Sequence, residues 1–265
     1  MTGQTGLYSG FDVIGNIAII KPRSKLSATD ARMIATDVMR KNKHITSVFK
    51  KVGRTEGEER VPKVVWVAGK KSSATLHKEN GCVFYIDIKK VFFTPRLSSE
   101  RLRISKSTKR NESVLDMFCG VGPYAIELAK TAKEIYAIDI NHSAIEELKR
   151  NIYLNKVGNV HVFEGDSKKI SWKLKKKFDR IIMNFPVGTY DFLPAAIKAA
   201  KKECIIHMYS FIDEKEGYDN SVSSSIKKIR EIIDGAATVR RITAKRAGEV
   251  APYMVRECFD IYVEK

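Results

Sequence analysis

The stretch from Val114 to Tyr124 constrains this chain more than any other. An apolar run ends in Asp116, and Gly120, Gly122 and Pro123 follow before a helix-forming segment begins. Glycines at a strand-to-helix turn let a ligand lie against bare backbone at a helix N-terminus, where amide N–H groups have no intrahelical partner. A second apolar run, Ile135 to Ile138, closes on Asp139, nineteen residues past Gly120. A carboxylate about 20 residues beyond such a turn suits the two hydroxyls of a ribose. Together these features predict a bound cofactor that contains a nucleoside.

The details select among such cofactors. A dinucleotide site carries a third glycine, and here that position is Ala125. Asp116 before the turn repels a diphosphate and suits the ammonium of an amino acid. Two further short apolar runs end near Asp166 and at Asn184, Phe185 and Pro186. Strand ends carrying Asp116, Asp139, Asp166 and Asn184 fit S-adenosylmethionine, with its amino group, ribose, adenine amine and reacting centre. Turns favour Asp, Asn, Gly and Pro in any case. The order and spacing of the four sites carry the reading, not any one residue.

Charge points to the partner. The chain has 48 Lys+Arg against 31 Asp+Glu, a net charge of +17. The basic residues recur in clusters along the chain, at Lys106 to Arg110, Lys173 to Lys177, Lys201-Lys202, Arg240-Arg241 and Lys245-Arg246. A folded basic face implies a polyanion, with nucleic acid the leading choice, and binding that weakens steeply with salt. No apolar run reaches 18 residues and no basic-then-apolar leader begins the chain, so a soluble cytoplasmic protein without a membrane partner is expected. The four cysteines (Cys82, Cys119, Cys204 and Cys258) are far apart, and the five histidines form no ligand pattern. Buried reduced thiols are expected, and no metal.

Residues 112–210 alternate strand and helix patterns, which makes the fold class α/β with a mostly parallel sheet. Pro123 suits the first turn of one helix. Ser143 and Glu146 have capping-box spacing for the next, with Ile145, Leu148 and Ile152 on one face. A helix from about Ser223 to Ile233 and two alternating segments, Ala237 to Ala244 and Met254 to Val263, would complete six or seven strands, the last two antiparallel. The first hundred residues read as a separate small α+β unit. It has a hairpin over Asp12 to Ile20 turning at Gly15-Asn16, a helix from Ala28 to Arg40, and strands at Val64 to Ala68 and Cys82 to Ile88. The predicted division is 1–105 and 106–265, joined through the basic stretch Leu102 to Glu112.

The residues now on the page resemble the archaeal and eukaryotic tRNA guanine-37 N1-methyltransferases. The likeness rests on Asp116 to Pro123, Ala137 to Asn141, Gly165-Asp166 and Met183 to Pro186. Upstream it includes Glu59 to Pro62, His77 to Gly81 and Phe93 to Arg101, and it runs from about residue 10 to the C-terminus. The resemblance implies a Rossmann-like class I methyltransferase domain behind a small domain that helps to shape a guanosine pocket. It implies Glu100 as the base that removes the N1 proton and Arg60 as the group that stabilises charge on O6, with Asn184 and Pro186 holding the base. It places S-adenosylmethionine against Asp116, Phe118, Gly120, Val121, Gly122, Asp139, Ile140, Asn141, Asp166 and Asn184. Phe92, Arg96, Arg101 and Pro186 would meet the tRNA anticodon loop.

General chemistry agrees. Guanine N1 carries a proton at neutral pH and attacks a sulfonium methyl only once a base removes it, a contribution of about 10²–10⁴-fold. The charge this pushes onto O6 suits a fixed guanidinium, and the base must leave its stack. Bland readings stand beside these: Glu100 and Arg101 as a surface pair, Arg60 as a counter-charge to Glu56, Glu58 and Glu59, and Asn184 to Pro186 as a turn.

Two departures from the family pattern matter. Many members carry an additional amino-terminal domain that reads the outer corner of tRNA, whereas this chain begins almost at the pocket-forming domain. The segment Asn184 to Val187 also lacks the second proline and aromatic residue usual for adenine N6 chemistry, which favours guanine N1. The rival functions are an aminocarboxypropyl transfer of the wybutosine pathway at the same nucleotide, additional methylation of a tricyclic guanine derivative, and a non-catalytic RNA-binding module. Glu100, Arg60 and Asn184 occurring together argue against the first and last of these. A monomer is expected.

Overall fold

Gly15 and Asn16 turn the chain between strands β1 (Tyr8–Ile14) and β2 (Ile17–Pro22), as the hairpin pattern predicts. The computed structural model describes residues 8–265 except 25, 54–56, 58 and 216. Of the residues weighed above as counter-charges to Arg60, Glu56 and Glu58 lie outside the described set. Helix α1 (Ala28–Lys41) starts where the Ser27 side chain accepts from the Asp30 amide at 3.0 Å. Its Ala31, Ile34, Ala35 and Val38 recur at helical spacing and bury one face against this first sheet. Strand β3 (Ser47–Lys51), two of its five residues lysine and unsignalled in the sequence, pairs parallel with β2 and antiparallel with β4 (Val64–Gly69). The order is β1-β2-β3-β4, with a core of its own.

The hairpin of β5 (Ala74–Glu79) and β6 (Cys82–Asp87) and helix α2 (Ser98–Ser107) belong elsewhere. Phe84, Ile86 and Ile104 bury into the same core as Val114, Tyr124 and Leu148 of the second region. The expected division at 105/106 therefore falls inside α2, next to a residue with no exposed surface. Periodicity alone could not show this, because a hairpin's strand pattern does not say which core it joins.

The large sheet runs β12-β13-β11-β10-β7-β8-β9. Its parallel part holds β7 (Ser113–Asp116), β8 (Glu134–Asp139), β9 (Val160–Glu164), β10 (Phe178–Met183) and β11 (Ala200–Asp213). Strand β13 (Met254–Glu264) lies antiparallel between β11 and β12 (Thr238–Ala251), as expected of the last two segments. Helices α3 (Pro123–Ala129) and α4 (His142–Asn155) cover one face; α5 (Ser167–Lys173), α6 (Leu193–Ala199) and α7 (Tyr218–Ile233) cover the other. The strand order reverses between β7 and β10, the place where open α/β sheets bind ligands at their carboxyl ends.

Two local expectations change. Asn141, not Ser143, caps α4: its Oδ1 accepts from the Ala144 amide at 3.3 Å, while Glu146 pairs with Lys149 on the surface. Helix α7 begins at Tyr218, ahead of Ser223, because Tyr218 and Val222 extend the apolar period of Ile226, Ile229 and Ile233 backwards onto the core. All four cysteines are buried free thiols. No described helix is long and apolar enough to cross a membrane.

Helix α4 covers the free edge of β6 with side chains. Asn155 Oδ1 accepts from the Val83 amide at 2.8 Å, Asn151 Oδ1 from the Tyr85 amide at 2.6 Å and Glu147 Oε1 from the Asp87 amide at 3.1 Å. Four helical residues rise about 6 Å and two strand residues about 6.6 Å. Every fourth side chain of the helix can thus meet every second amide of the strand. Asn151 also donates to Tyr85 O and to Val121 O, at 3.1 and 3.0 Å, tying hairpin, helix and glycine turn together. Asn151→Ala strands all three buried partners and should lower unfolding free energy by about 2–4 kcal/mol, measured by urea denaturation. A loss below about 0.5 kcal/mol would show that the ladder does not hold the hairpin.

Candidate active site

The carboxyl ends of β7, β8 and β10, with the segment before β9's following helix, open on one cavity of about 420 Å³, a size suited to a small-molecule ligand. Asp139 ends β8. Its Oδ2 accepts from the Gly120 amide at 2.7 Å and its Oδ1 from the Asn141 amide at 2.9 Å, leaving lone pairs for two hydroxyls. Burial raises its pKa, and those amides oppose the rise. Gly120 has φ of 53°, and a Cβ built there meets nothing nearer than Phe92 O at 3.8 Å, so its missing side chain leaves room on the cavity wall. Gly122, at φ of 88°, has a different reason to be glycine: a Cβ there would stand 2.3 Å from Leu148 Cδ1. Asp166 caps α5, its Oδ1 accepting from the Lys168 amide at 2.7 Å, and its side chain lines the same cavity.

Asp116 sits deeper. It has no exposed surface, its Oδ1 accepts from the Phe118 amide at 3.4 Å, and its Oδ2 is buried with no partner. Burial pushes its pKa up to about 8, the Phe118 amide opposing and Asp139 adding to the rise. An orphaned carboxylate oxygen, a side-chain-free turn and two carboxylates on the wall fit the ammonium, ribose and adenine amine of S-adenosylmethionine. Phe118 stacks on Phe185 with ring centroids 4.9 Å apart and meets Phe192 edge-on at the same distance, giving the cavity an aromatic side. Phe192 carries no motif and escaped the sequence reading.

Of the remaining expected residues, Ile140, Asn141, Asn184 and Pro186 line the cavity, as do Arg60, Phe92 and Arg101. The Asn141 amide donates to Lys90 O at 3.0 Å, so its side chain is committed to structure. Arg101 is fully buried and paired with both oxygens of Glu79, at 2.6 and 2.8 Å. Arg60 stands at a left-handed φ of 55°, with no partner among the described residues. Glu59, weighed above as a counter-charge to Arg60, also lines the cavity, as do Lys51, Phe211 and Arg256, these last three not anticipated.

Besides the deeper Asp116, four expected residues do not line the cavity. Val121 is buried in the core, Gly122 packs on Leu148, and Arg96 pairs with Asp12 at 2.8 Å. Glu100 is the fourth. It is buried on α2 with its carboxylate held by Arg103 at 2.6 and 2.8 Å and by the Tyr209 hydroxyl at 2.8 Å, and Tyr124 in turn donates to Tyr209. The surface-pair reading of Glu100 and Arg101 is incorrect, since both are buried and bound to different partners. His207, Cys258 and Asp260 form the one described cluster with metal-ligand spacing, yet Arg103 and Arg180 occupy it.

The state of Asp116 makes a prediction. A carboxyl with a folded pKa near 8 stabilises the fold when protonated, and this stability is lost as pH rises from its unfolded value, near 3.8, through 8. Asp116→Asn should melt near the wild-type temperature at pH 4 and progressively above it up to pH 8, in ligand-free calorimetry. A constant difference across that range would contradict the assignment.

The sequence comparisons agree with this geometry. A profile of the TRM5/TYW2 methyltransferase domain matches residues 75–236, and one of the TYW2 N-terminal domain matches residues 3–72. The chain is 39% identical over 240 residues to the tRNA (guanine(37)-N(1))-methyltransferase Trm5b of Pyrococcus abyssi, covering 91% of this chain and 70% of that protein. It is 32% identical to the tRNA (guanine(37)-N(1))/4-demethylwyosine(37)-methyltransferase Taw22 of Nanoarchaeum equitans, covering 96% and 99%. The crystal structure of the Pyrococcus abyssi Trm5b superposes with a TM-score of 0.88 at 36% identity, covering all of this chain and 79% of the other. With its strand order, its cavity and these matches, the chain belongs to the TRM5/TYW2 methyltransferase family.

Proposed function

We propose that this protein transfers a methyl group from S-adenosylmethionine to N1 of guanosine 37 in tRNA, beside the anticodon. One observation carries the reading. A single cavity brings together the carboxylates of Asp139 and Asp166, the Phe92 ring, the cations Arg60, Lys51 and Arg256, and Asn184 with Pro186. Bound S-adenosylmethionine supplies a sulfonium-activated methyl carbon. Asn184, whose side chain has no partner among the described residues, holds the guanine, and Pro186 shapes its slot. The Phe92 ring, 40% exposed, offers a stacking face to a base drawn out of the anticodon loop.

Glu100 is assigned the N1 proton. Its carboxylate lies off the cavity wall and grips Arg103, so accepting that proton requires it to turn from Arg103 towards the base. Arg60 takes charge on O6. The four-stranded unit, residues 8–69, is assigned to the substrate side because it has its own sheet and a core of its own. Its Ile14, Ile17, Ile19 and Phe49 also reach the core of the larger part, residues 74–265, which is assigned to the catalytic body. The net charge of +17 supports tRNA as partner. A cytoplasmic monomer is the proposed working form, since the proposed reaction calls for no site built across two chains. A second reading, methylation of a tricyclic guanine derivative as well, is favoured by the 99% coverage of the Nanoarchaeum equitans relative, whose name includes 4-demethylwyosine.

Incubation with purified tRNA and labelled cofactor, followed by nucleoside mass analysis, should yield 1-methylguanosine. An aminocarboxypropyl adduct would overturn the reading, and a transcript with adenine at position 37 should take up no label. Glu100→Gln should reduce kcat by about 10²–10⁴-fold while the cofactor Kd stays within about twofold. Unreduced turnover in that variant would remove Glu100 as the base.

A further inference from the structure

Two arginines on the cavity wall, Arg60 and Arg256, lack a counter-charge among the described residues, and only Arg256 stands on a strand. Arg101 is matched by Glu79, Arg103 by Glu100 and Asp260, and Arg180 by Glu112. Arg256 lines the cavity, has no carboxylate partner among the described residues, and its Nε is buried without any hydrogen bond. Its guanidinium lies 5.6 Å from the centre of the Phe211 ring. Burial pulls its pKa down, and the groups acting on it beyond that are Tyr124, Tyr209, Arg101 and Arg60. A half-buried guanidinium with an unsatisfied Nε is tolerated where a ligand completes the pair.

We infer that Arg256 is a second guanidinium of the guanine half of the cavity, which reads the O6/N7 edge and takes the negative charge that develops on O6. The inference rests on the methyl-transfer reading and adds to it a residue that no motif contains. Three observations support it. Depth is the first: the Arg256 Nε is buried, and the residue pairs with Phe211. Two residues along β11 from Phe211 is Tyr209, whose hydroxyl holds Glu100, so Arg256 stands near the assigned base. The phosphates of a tRNA stay at the mouth of a cavity that a base enters. Rigidity is the second. Strand β13 pairs on both sides here, Arg256 with Phe211 and with Gly248, whereas Arg60 rides on a loop. Shape is the third, because a planar fork matches the two acceptors of guanine, while adenine presents an amino donor in place of O6. As N1 loses its proton to the base, negative charge spreads over N1 and O6. Methyl transfer to N1 then discharges it, and no bond to Arg256 forms or breaks.

The test compares wild type, Arg256→Gln and Arg256→Lys on a tRNA transcript, with melting temperature and cofactor Kd measured alongside. Arg256→Gln should lose about 10²–10³-fold in kcat with cofactor Kd within about twofold, and Arg256→Lys should recover part of that loss. The deficit should shrink as pH rises, since alkaline solvent removes the N1 proton without help. A deficit constant with pH would mean a structural role and overturn the inference. So would an unchanged kcat with a raised KM and a salt dependence weakened by about one charge, the mark of a phosphate contact. Wild-type enzyme that makes no 1-methylguanosine brings down both readings. Wild-type transfer with an unimpaired Arg256→Gln brings down this one alone.

Discussion

The two oxygens of Asp139 fasten together the parts of the chain that make the cofactor side of the cavity. One receives the Gly120 amide and fixes the turn after β7; the other receives the Asn141 amide and fixes the start of α4. Asn141 passes the constraint on, capping the helix with its carbonyl and donating to Lys90 O with its amide. The segment carrying Phe92 follows two residues later. One strand-terminal carboxylate thus sets the position of the glycine turn, a helix and the segment leading to the proposed base-stacking ring. Its own ionisation is held against burial by those same amides.

On the far side, fixed charge is organised in pairs. A buried chain runs from Glu112 through Arg180, His207, Asp260 and Arg103 to Glu100 and Tyr209. Burial keeps His207 below its ordinary value. Burial alone would raise Asp260, but the hydrogen bonds from His207 and Arg103 outweigh it and hold that carboxyl well below the usual range. Against this compensated network, the cations on the cavity wall without partners are conspicuous as sites for a ligand's negative charge.

The parallel half of the fold was legible because each of its strands ends in a residue with a geometric duty. Asp116, Asp139 and Asn184 mark strand ends in sequence and mark the cavity or its floor in space. What escaped was whatever depends on distant neighbours. The hairpin β5–β6 reads as strands, but only contacts from Asn151 and Asn155, more than sixty residues on, reveal which body it joins. Arg256 looks like one more charge in a basic, alternating strand. Its meaning comes from the partner it lacks, and a sequence does not display absent partners. Glu100 was legible as a buried functional candidate by motif alone, while its grip on Arg103 required coordinates.

That grip bears on how Glu100 can turn towards the cavity, as its proposed role requires. Arg103 holds two carboxylates at once, Glu100 through Nε and Nη2 and Asp260 through Nη1 and Nη2. When Glu100 turns away, Arg103 keeps Asp260, and Asp260 keeps His207. The Tyr209 hydroxyl, held in turn by Tyr124, marks the side of α2 from which Glu100 departs. The same motion at Asp260 would break bonds to both His207 and Arg103. The network therefore lets Glu100 move without leaving any of its arginines unpaired.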